Sequence, residues 1–139
     1  MTQEDKELLL KDLCARLPYG VKVECKWKTP APNGTYGMIC TLDSFLLDQI
    51  YNTDDIDVPF NEYKPYLFPM SSMTEEQKRE YNSLRDFVPT YHYEYGDIVE
   101  DTELYDNWGS IDYLIANHFD YRGLIPRGLV NNATGLNIY

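Results

Sequence analysis

The stretch Val21–Lys28, which reads VKVECKWK, decides the fold. Its apolar side chains Val21, Val23, Cys25 and Trp27 alternate with three lysines and a glutamate. Alternation with a period of two is typical of a β-strand that buries one face and exposes the other. We therefore predict a strand here, with a basic face toward solvent.

The residues after this strand predict more of the same sheet. Thr29–Gly34 holds two prolines and an Asn-Gly step, a strong turn signal, so Tyr36–Leu42 is predicted to return as the second strand of a hairpin. Phe45–Tyr51 is apolar and fits either a third strand or a short helix. Val58–Tyr63 is predicted as another strand, and Pro65 is expected to lead the chain out of the sheet, because proline cannot donate to a central ladder.

Two helices are predicted from their start and stop signals. Apolar residues recur with a period near 3.6 over Leu8–Leu17, with Thr2 as N-cap and Pro18 as a stop. Thr74–Gln77 has the form of a capping box, which predicts the start of a helix that Pro89 ends.

The C-terminal third predicts a short strand, a helix and a tail. Tyrosines alternate with polar residues over Tyr91–Tyr95, which indicates a short strand. A last helix fits Ile111–Phe119, with Ser110 as its N-cap. The polar tail Asn131–Tyr139 is expected to be mobile or bound to a partner.

The order of helix, several strands, helix, strand and helix predicts an α+β fold. We expect a small, mainly antiparallel, strongly bent sheet or SH3-like barrel, with an N-terminal helix and two further helices. At 139 residues the chain matches one domain. Within it we expect a helix and sheet over 1–70, a helix-strand-helix part over 71–130 and the tail over 131–139.

The cysteines and the hydropathy pattern indicate a cytoplasmic protein. Cys14, Cys25 and Cys40 are odd in number and lack the spacing of a disulfide framework or a metal clip, so we expect reduced core thiols. No apolar run approaches the roughly 20 residues of a membrane span, and the N-terminus lacks the basic region of a signal peptide.

The charge is strongly acidic and unevenly distributed. The formal net charge is −11, which disfavours direct binding to nucleic acid and favours a basic protein partner, including one whose surface normally holds nucleic acid. Residues 43–62 carry six acids and residues 86–120 carry nine, with no lysine or arginine in either block. The chain is expected to fold alone or as a small homo-oligomer.

No sequence motif for catalysis, a metal or a cofactor is present. The glycines do not form GxGxxG, GxxxxGK or GxSxG patterns, and His92 and His118 lack a neighbouring ligand at metal-binding spacing. Adjacent acids such as Asp54-Asp55 and Glu100-Asp101 read as solvated loop residues. We therefore predict that the chain is not an enzyme, although carboxylates and His118 that converge in the fold would be an undetected active site.

Tyrosines and acids supply the candidate binding surface. Tyr91, Tyr93 and Tyr95 form either an exposed recognition row or a core face, and the core interpretation is favoured. The candidate partner-binding residues are Asp54, Asp55, Asp57, Tyr91, Tyr93, Tyr95, Asp97, Glu100, Asp101 and Glu103.

A second candidate site lies near the C-terminus. His118, Tyr121 and Arg122, here named the C-terminal cluster, lie within five residues and could hold a phosphate and a stacked base. The competing interpretations, a packed or capping histidine and an internal ion pair of Arg122, are favoured.

Three stretches together resemble a known group of sequences. They are Met1–Val21, which contains MTQEDKEL and LPYGV, Lys64–Glu76, which reads KPYLFPMSSMTEE, and Asn117–Ile125, which reads NHFDYRGLI. They are similar to short uncharacterised proteins of gut Bacteroidales and of their phages and prophages, over about a third of the chain. In that group the positions of Phe68 and Asn117 usually hold arginine and histidine, so any shared role of those two polar groups is in doubt here.

The resemblance implies an origin in a bacterium or phage, a location in the host cytoplasm and no established activity. Fixed ends around a variable middle suit partner binding. Our hypothesis is a non-enzymatic phage or prophage accessory protein that binds a protein through an acidic, tyrosine-containing surface, as an inhibitor of a host nucleic-acid-binding or defence protein. The alternatives are a protein that binds or sequesters nucleotides and an enzyme whose site the sequence does not reveal.

Overall fold

The structure is a computed structural model that describes residues 2–29, 32, 34, 37–53, 58 and 60–139. The chain divides into two compact units: unit 1 comprises Met1–Ser72 and Ile115–Tyr139, and unit 2 comprises Met73–Leu114. The described part has four α-helices and six β-strands, which confirms the α+β class with a small sheet and an N-terminal helix. It contains no closed barrel.

The elements follow one another along both units. In chain order they are α1 (Gln3–Arg16), β1 (Lys22–Trp27), β2 (Gly37–Thr41), α2 (Ser44–Tyr51), β3 (Phe60–Leu67), α3 (Glu75–Leu84), β4 (Asp86–Glu94), β5 (Asp97–Tyr105), α4 (Trp108–Ala116) and β6 (Asn131–Asn132). Within the described residues no helix is long and apolar enough to cross a membrane.

The sheet of unit 1 is built around β1, as its alternating sequence predicts. The strand order is β2-β1-β3-β6, with β2 and β3 antiparallel to β1 and β6 parallel to β3. Val21, Val23 and Cys25 are fully buried in the core. Leu9 and Leu13 of α1 and Leu46 and Ile50 of α2 belong to the same core, so both helices contribute to covering the buried face of the sheet.

The solvent face of β1 is basic in its own sequence but is balanced by its neighbours. Lys26 Nζ lies 3.5 Å from a carboxylate oxygen of Glu62 on β3 and 3.8 Å from one of Glu24. Glu62 also pairs with Lys64, at 3.4 Å. Partly exposed pairs of this kind contribute only about 0 to 1 kcal/mol each, so their main effect is to neutralise the face.

Pro65 lies inside β3, so the prediction that it leads the chain out of the sheet is wrong. It is paired with Val23 of β1 and is fully buried. The parallel strand β6 pairs only with Tyr66 and Leu67. Among the described residues, no strand therefore neighbours the other side of β3 at Pro65, and proline is tolerated where its nitrogen faces such an open side.

The apolar segment Phe45–Tyr51, for which the sequence allows either a strand or a helix, lies in the helix α2. Its N-cap is Asp43, whose carboxylate accepts a hydrogen bond from Leu46 N at 2.7 Å. Leu46 and Ile50, four residues apart, are the buried positions. This helical spacing explains why a short apolar run forms a helix here. Three helices therefore follow α1 in the described residues, where the sequence predicts two.

The cysteines only partly follow the prediction of core thiols. Cys25 is buried and Cys40 is half-buried, but Cys14 is exposed, because it lies off the face of α1 that faces the core. All three are free. Burial, followed by the neighbouring Cys40, raises the pKa of the Cys25 thiol to about 12, which keeps it protonated near neutral pH.

The two predicted helix starts are confirmed. Thr2 caps α1 by accepting a hydrogen bond from Asp5 N at 3.0 Å, and a left-handed Gly20 (φ 70°) follows the 3-10 turn Leu17–Tyr19 that ends the helical segment. Thr74 and Gln77 form the capping box of α3, with hydrogen bonds of 3.1 and 2.9 Å.

The end of α3 differs from the prediction. The helix stops at Leu84, and Pro89 lies in β4, opposite Thr102 of β5. The predicted short strand at Tyr91–Tyr95 is thus part of a longer one, Asp86–Glu94. The prediction was wrong because proline is also compatible with a strand whose outer edge is unpaired, as in this two-stranded sheet.

Helix α4 is capped by Asn107 and not by Ser110. Asn107 Oδ1 accepts a hydrogen bond from Ser110 N at 2.9 Å, and Ser110 Oγ accepts one from Asn107 N at 2.8 Å. Ser110 is therefore the third helical residue in a reciprocal arrangement of the capping-box kind, which explains why it marked the helix start without being the cap.

The C-terminal segment, predicted to be mobile or partner-bound, lies against the sheet of unit 1 in the structure. Ala133 N donates a hydrogen bond to Leu67 O at 2.9 Å. The Tyr139 hydroxyl donates to Tyr66 O at 2.6 Å and accepts from Lys22 N at 2.8 Å. These contacts satisfy backbone groups of β3 and, through the Tyr139 hydroxyl, of β1 at the end of the β1–β3 ladder.

We expect Gly37→Ala to destabilise unit 1 by about 1 to 3 kcal/mol, because an added methyl group would overlap the Cys25 carbonyl oxygen on β1 and lie 3.1 Å from Lys26 Cα. Urea unfolding followed by circular dichroism measures this. Gly109→Ala is the control, since its added Cβ meets nothing nearer than 3.4 Å. Equal stability of the two variants would contradict the tight packing of β2 on β1.

Candidate functional site

The most exposed ordered feature of unit 2 is the hairpin formed by β4 and β5. Nine residue pairs run from Glu94–Asp97 beside the turn to Asp86–Tyr105 at the base. The turn residues Tyr95 and Gly96 both have positive φ, at 51° and 84°. This is the type I′ geometry, whose twist matches that of the flanking strands.

One side of the hairpin, here named the aromatic face, is apolar and exposed. Residues opposite each other in an antiparallel pair share a face. The aromatic face consists of Phe87, Pro89, Tyr91, Tyr93, Ile98, Glu100, Thr102 and Leu104. Its Phe87, Tyr91, Tyr93 and Ile98 are 63, 66, 79 and 66% exposed, and the interpretation of the tyrosine row as core is therefore wrong.

The opposite side, here named the acidic face, carries the negative charge. It consists of Asp86, Val88, Thr90, His92, Glu94, Asp97, Val99, Asp101, Glu103 and Tyr105. All five of its acids are exposed. His92 lies among them, with Nδ1 3.0 Å from an Asp101 oxygen and Nε2 3.5 Å from a Glu94 oxygen. No lysine or arginine occurs anywhere on the hairpin.

The hairpin brings together most of the residues that the sequence proposes for partner binding. Asp97, Asp101 and Glu103 lie on the acidic face, whereas Tyr91, Tyr93 and Glu100 lie on the aromatic face. Tyr95 is at the turn and is 98% exposed. The remaining candidates, Asp54, Asp55 and Asp57, lie outside the described residues.

Asp106, at the base of the hairpin, is a structural residue that the sequence did not reveal. Its Oδ1 accepts hydrogen bonds from the Tyr81 hydroxyl and, at 3.0 Å, from Ser110 Oγ, and it lies 3.5 Å from Arg85 Nε. Arg85 also donates through Nη2 to Leu104 O at 2.8 Å. Burial, together with the Asp106 hydrogen bond, raises the pKa of Tyr81 to about 12. The cluster ties α3, β5 and α4 together within unit 2.

The C-terminal cluster belongs to unit 1, where Arg122 is engaged in internal contacts. Its Nε lies 3.2 Å from an oxygen of Asp12, a residue of α1 whose side chain is fully buried. Its guanidinium also lies over the Tyr121 ring, 4.8 Å from the centroid, and Arg16 approaches the same ring at 5.9 Å. The structure thus forms the internal ion pair that was the favoured interpretation.

His118 is packed against the C-terminal segment. Its ring stacks on the Tyr139 ring, with the two centroids 3.8 Å apart. The backbone of His118 is left-handed, with φ at 64°. Burial, then the positive charges of Arg16 and Lys22, lower its pKa to about 4. Its buried Nδ1 has no hydrogen-bond partner in the described part of the chain. The imidazole is therefore neutral at pH 7 and attracts no phosphate by charge.

The pair Asp12–Arg16 was missed by the sequence interpretation. Both side chains are fully buried, with Arg16 Nε 2.7 Å from an Asp12 oxygen, and Arg16 Nη2 donates to Phe119 O at 2.7 Å. A signal was present. Asp12 and Arg16 follow Leu9 at the i+3 and i+7 positions, which places two charged residues on the apolar face of α1.

A cleft of about 290 Å³ in unit 1 does not include the C-terminal cluster. It is lined by Thr2, Gln3, Lys6, Leu9, Leu10, Ile50, Thr53, Asn61, Glu62 and Tyr63. Among the described residues, no three His, Cys, Asp or Glu side chains gather closely enough to hold a metal ion. This cleft therefore gives no support to the C-terminal cluster as a binding site.

Comparison with known proteins gives no relative. No protein-family model matches the chain, and neither a curated protein nor a solved structure does.

We expect unit 1 to lose stability as the pH falls from about 6.5 to 4. The unfolded chain protonates His118 near its ordinary pKa of 6.5, whereas the folded chain resists protonation down to about 4. The stabilisation is present above 6.5 and is lost on acidification, by roughly 1 to 2 kcal/mol after a discount for partial exposure.

The control is His118→Asn, because asparagine tolerates the left-handed backbone and does not titrate. Urea unfolding at several pH values between 4 and 7 measures the difference between the two proteins. If both lose stability in parallel over this range, His118 is not responsible.

Removal of Asp12 should be far more costly than removal of Arg122. Asp12→Ala leaves Arg16 buried without a counter-charge, and we expect a loss of about 3 to 5 kcal/mol. Arg122→Ala removes a side chain that is 20% exposed, and about 1 kcal/mol is expected. The double variant Asp12→Leu with Arg16→Met should recover part of the Asp12→Ala loss. Equal effects of the two alanine variants in urea unfolding would contradict this account.

Proposed function

We propose that the chain is a non-enzymatic protein-binding protein that recognises a basic protein surface through the hairpin of β4 and β5. The observation that carries the proposal is the segregation of five exposed acids on one face of an exposed hairpin that contains no lysine or arginine. The aromatic face on its other side supplies exposed tyrosines, a residue type enriched in binding surfaces.

Charge explains what kind of partner such a surface selects. Acids on one face, in a chain of net charge −11, attract a positive surface over a Debye length of about 8 to 10 Å and repel acidic proteins and nucleic acid. The exposed tyrosines add contact area at little entropic cost, since each has only two side-chain torsions. The electrostatic part of the binding should weaken as salt is added.

The resemblance to short proteins of gut Bacteroidales and their phages gives this surface a biological setting. We propose that the partner is a host or phage protein in the bacterial cytoplasm whose basic surface normally holds nucleic acid. Occupation of that surface by an acidic hairpin would block it, so the chain would act as an inhibitor of a nucleic-acid-binding or defence protein.

The nucleotide-binding alternative receives less support from the geometry. Arg122 pairs with the buried Asp12, and His118 is neutral and stacked on Tyr139. A nucleotide phosphate at the C-terminal cluster would have to compete with the Asp12 carboxylate for the Arg122 guanidinium. An active site around His118 lacks support for a similar reason, since Asp120 accepts backbone hydrogen bonds from Leu124 and Ile125, each at 2.8 Å.

We expect neutralisation of the acidic face to abolish partner capture. The test variant is Asp97→Asn with Asp101→Asn and Glu103→Gln, used as bait in a lysate of Bacteroidales cells with quantitative mass spectrometry. Proteins captured by the wild type and lost with this variant should be basic, and their capture should fall steeply between about 50 and 500 mM salt.

The matched control is Glu4→Gln with Glu7→Gln and Glu76→Gln, which removes the same charge from exposed positions of α1 and α3 that are not part of the hairpin. It should capture the same proteins as the wild type. Equal loss with both triple variants would show a dependence on net charge alone, and equal capture by all three baits would refute the proposed function.

A further inference from the structure

We propose that the partner adds a β-strand to the outer edge of β5, with basic side chains over the acidic face and apolar side chains over the aromatic face. This inference rests on the proposed function and specifies its partner as an extended segment in which basic and apolar residues alternate.

The outer edges of the hairpin present backbone groups that no neighbouring strand satisfies. The sheet has only two strands, β4 and β5, in the described part of unit 2. In a hairpin with a two-residue turn, the pair that flanks the turn is hydrogen-bonded, and such pairs then alternate with non-hydrogen-bonded ones. Glu94–Asp97 is the flanking pair, so the backbone groups of Ile98, Glu100 and Thr102 point outward.

A side-chain contact agrees with this assignment. Thr90 Oγ1 lies 3.4 Å from Asp101 O, which places that carbonyl on the side of β5 facing β4. Asp101 is therefore an inward-facing position, and its neighbours Glu100 and Thr102 face outward. An unpaired edge of this kind is a template for another strand.

Proline distinguishes the two edges. Pro89 lies opposite Thr102, at an outward-facing position of β4, and lacks the N–H that a new strand would need. β5 has no proline. At its far end Leu104 O already accepts a hydrogen bond from Arg85. The usable edge is therefore Ile98–Thr102, about 17 Å long at roughly 3.4 Å per residue.

The two faces of the hairpin dictate the side chains of the added strand. Successive residues of a strand point to opposite faces, so every second side chain would lie beside Asp97, Asp101 and Glu103, and the others would lie directly beside Ile98, Glu100 and Thr102, with Tyr91 and Tyr93 one strand further away on β4. Lysine or arginine suits the first set. Valine, isoleucine or an aromatic residue suits the second, because β-branched and aromatic side chains pack well on Ile98 and Thr102.

The same register argues against a second copy as the occupant. Pairing of β5 with β5 of another molecule would place Asp97, Asp101 and Glu103 of one chain next to those of the other on the same face. Like charges directly opposite in a ladder are destabilising. The edge therefore selects a basic segment of a different protein.

The test uses a labelled nine-residue peptide of alternating lysine and valine, KVKVKVKVK, with the full-length protein and fluorescence anisotropy as the readout. The control peptide KKKKKVVVV has the same composition without alternation. We expect the alternating peptide to bind at least about tenfold more tightly than the control peptide, since only it presents one basic and one apolar face as a strand.

Backbone methylation tests the ladder directly. In antiparallel pairing the partner residues that bond to Ile98, Glu100 and Thr102 have side chains on the aromatic face, and these are the valines. N-methylation of the valines should therefore abolish binding, and N-methylation of the lysines should leave it nearly unchanged. The reverse pattern would support parallel pairing at the same edge.

A variant of the protein provides the second test. Thr102→Pro copies on β5 the proline that β4 carries at the opposite position, so it should remove one outward N–H with the hairpin intact. We expect at least a tenfold loss of affinity, with Thr102→Val as the matched control that keeps it. If Thr102→Pro disrupts the hairpin, strand addition is judged from the binding of the methylated peptides to the wild-type protein alone.

The possible results separate the two proposals. Equal binding of alternating, block and methylated peptides, lost in the acidic-face triple variant, would overturn strand addition and support the acidic surface. Binding of all the peptides unaffected by that triple variant would overturn both. Absence of peptide binding would overturn strand addition and leave the surface to be judged by the lysate capture.

Discussion

The buried pair of Asp12 and Arg16 is the constraint on which unit 1 depends. Two fully buried charges are tolerated only when each has a partner, and Arg16 Nη1 remains buried without a hydrogen bond among the described residues. α1 supplies the pair, but the segment 119–122 supplies the Phe119 carbonyl that Arg16 reaches and the Arg122 that contacts Asp12. The desolvation cost is therefore offset only when the two ends of the unit 1 sequence meet. An apolar pair in place of Asp12 and Arg16 would have packed α1 without requiring contacts from the segment 119–122. The charges therefore add selectivity for this one packing arrangement within unit 1 more than they add net stability.

Features that depend on neighbouring residues could be predicted from the sequence, and features that depend on distant ones could not. The alternation of β1, the N-cap Thr2 and the capping box at Thr74 are local patterns, and the structure contains each of them. Pro65 and Pro89 were misplaced because a proline is excluded from a strand only where its nitrogen faces a partner, and strand neighbours are a property of the whole sheet. The contact between Lys22 and Tyr139, 117 residues apart, leaves no local signal at all.

The candidate surface shows the same division. The block 86–120 has nine acids and no lysine or arginine, and the hairpin places five of these acids on one face, whereas Glu100 lies on the other face and Asp120 is buried in unit 1. The spacing of the tyrosines could not show whether they are buried or exposed. Alternation indicates that they share one face of a strand, but it does not indicate whether another layer covers that face. The register of β4 and β5 determines which side chains share a face. Pairing through the Tyr95-Gly96 turn sets Tyr93 opposite Ile98 and Tyr91 opposite Glu100, and it places Asp97, Asp101 and Glu103 on the other face. A shift by one residue would have mixed the two sets.

Unit 2 is inserted in the sequence between the two stretches of unit 1, so the two units differ in the sequence separation of their contacts. The hairpin and its flanking helices have short-range contacts and can form before the C-terminal stretch of unit 1 has docked. Unit 1 must wait for residues separated by 103 to 117 positions, such as Arg16 and Phe119 or Lys22 and Tyr139. Until then β3 lacks β6 and Arg16 lacks its carbonyl partner. Early folding of unit 2 shortens the effective loop that unit 1 must close, which lowers the entropic cost of that closure and speeds it.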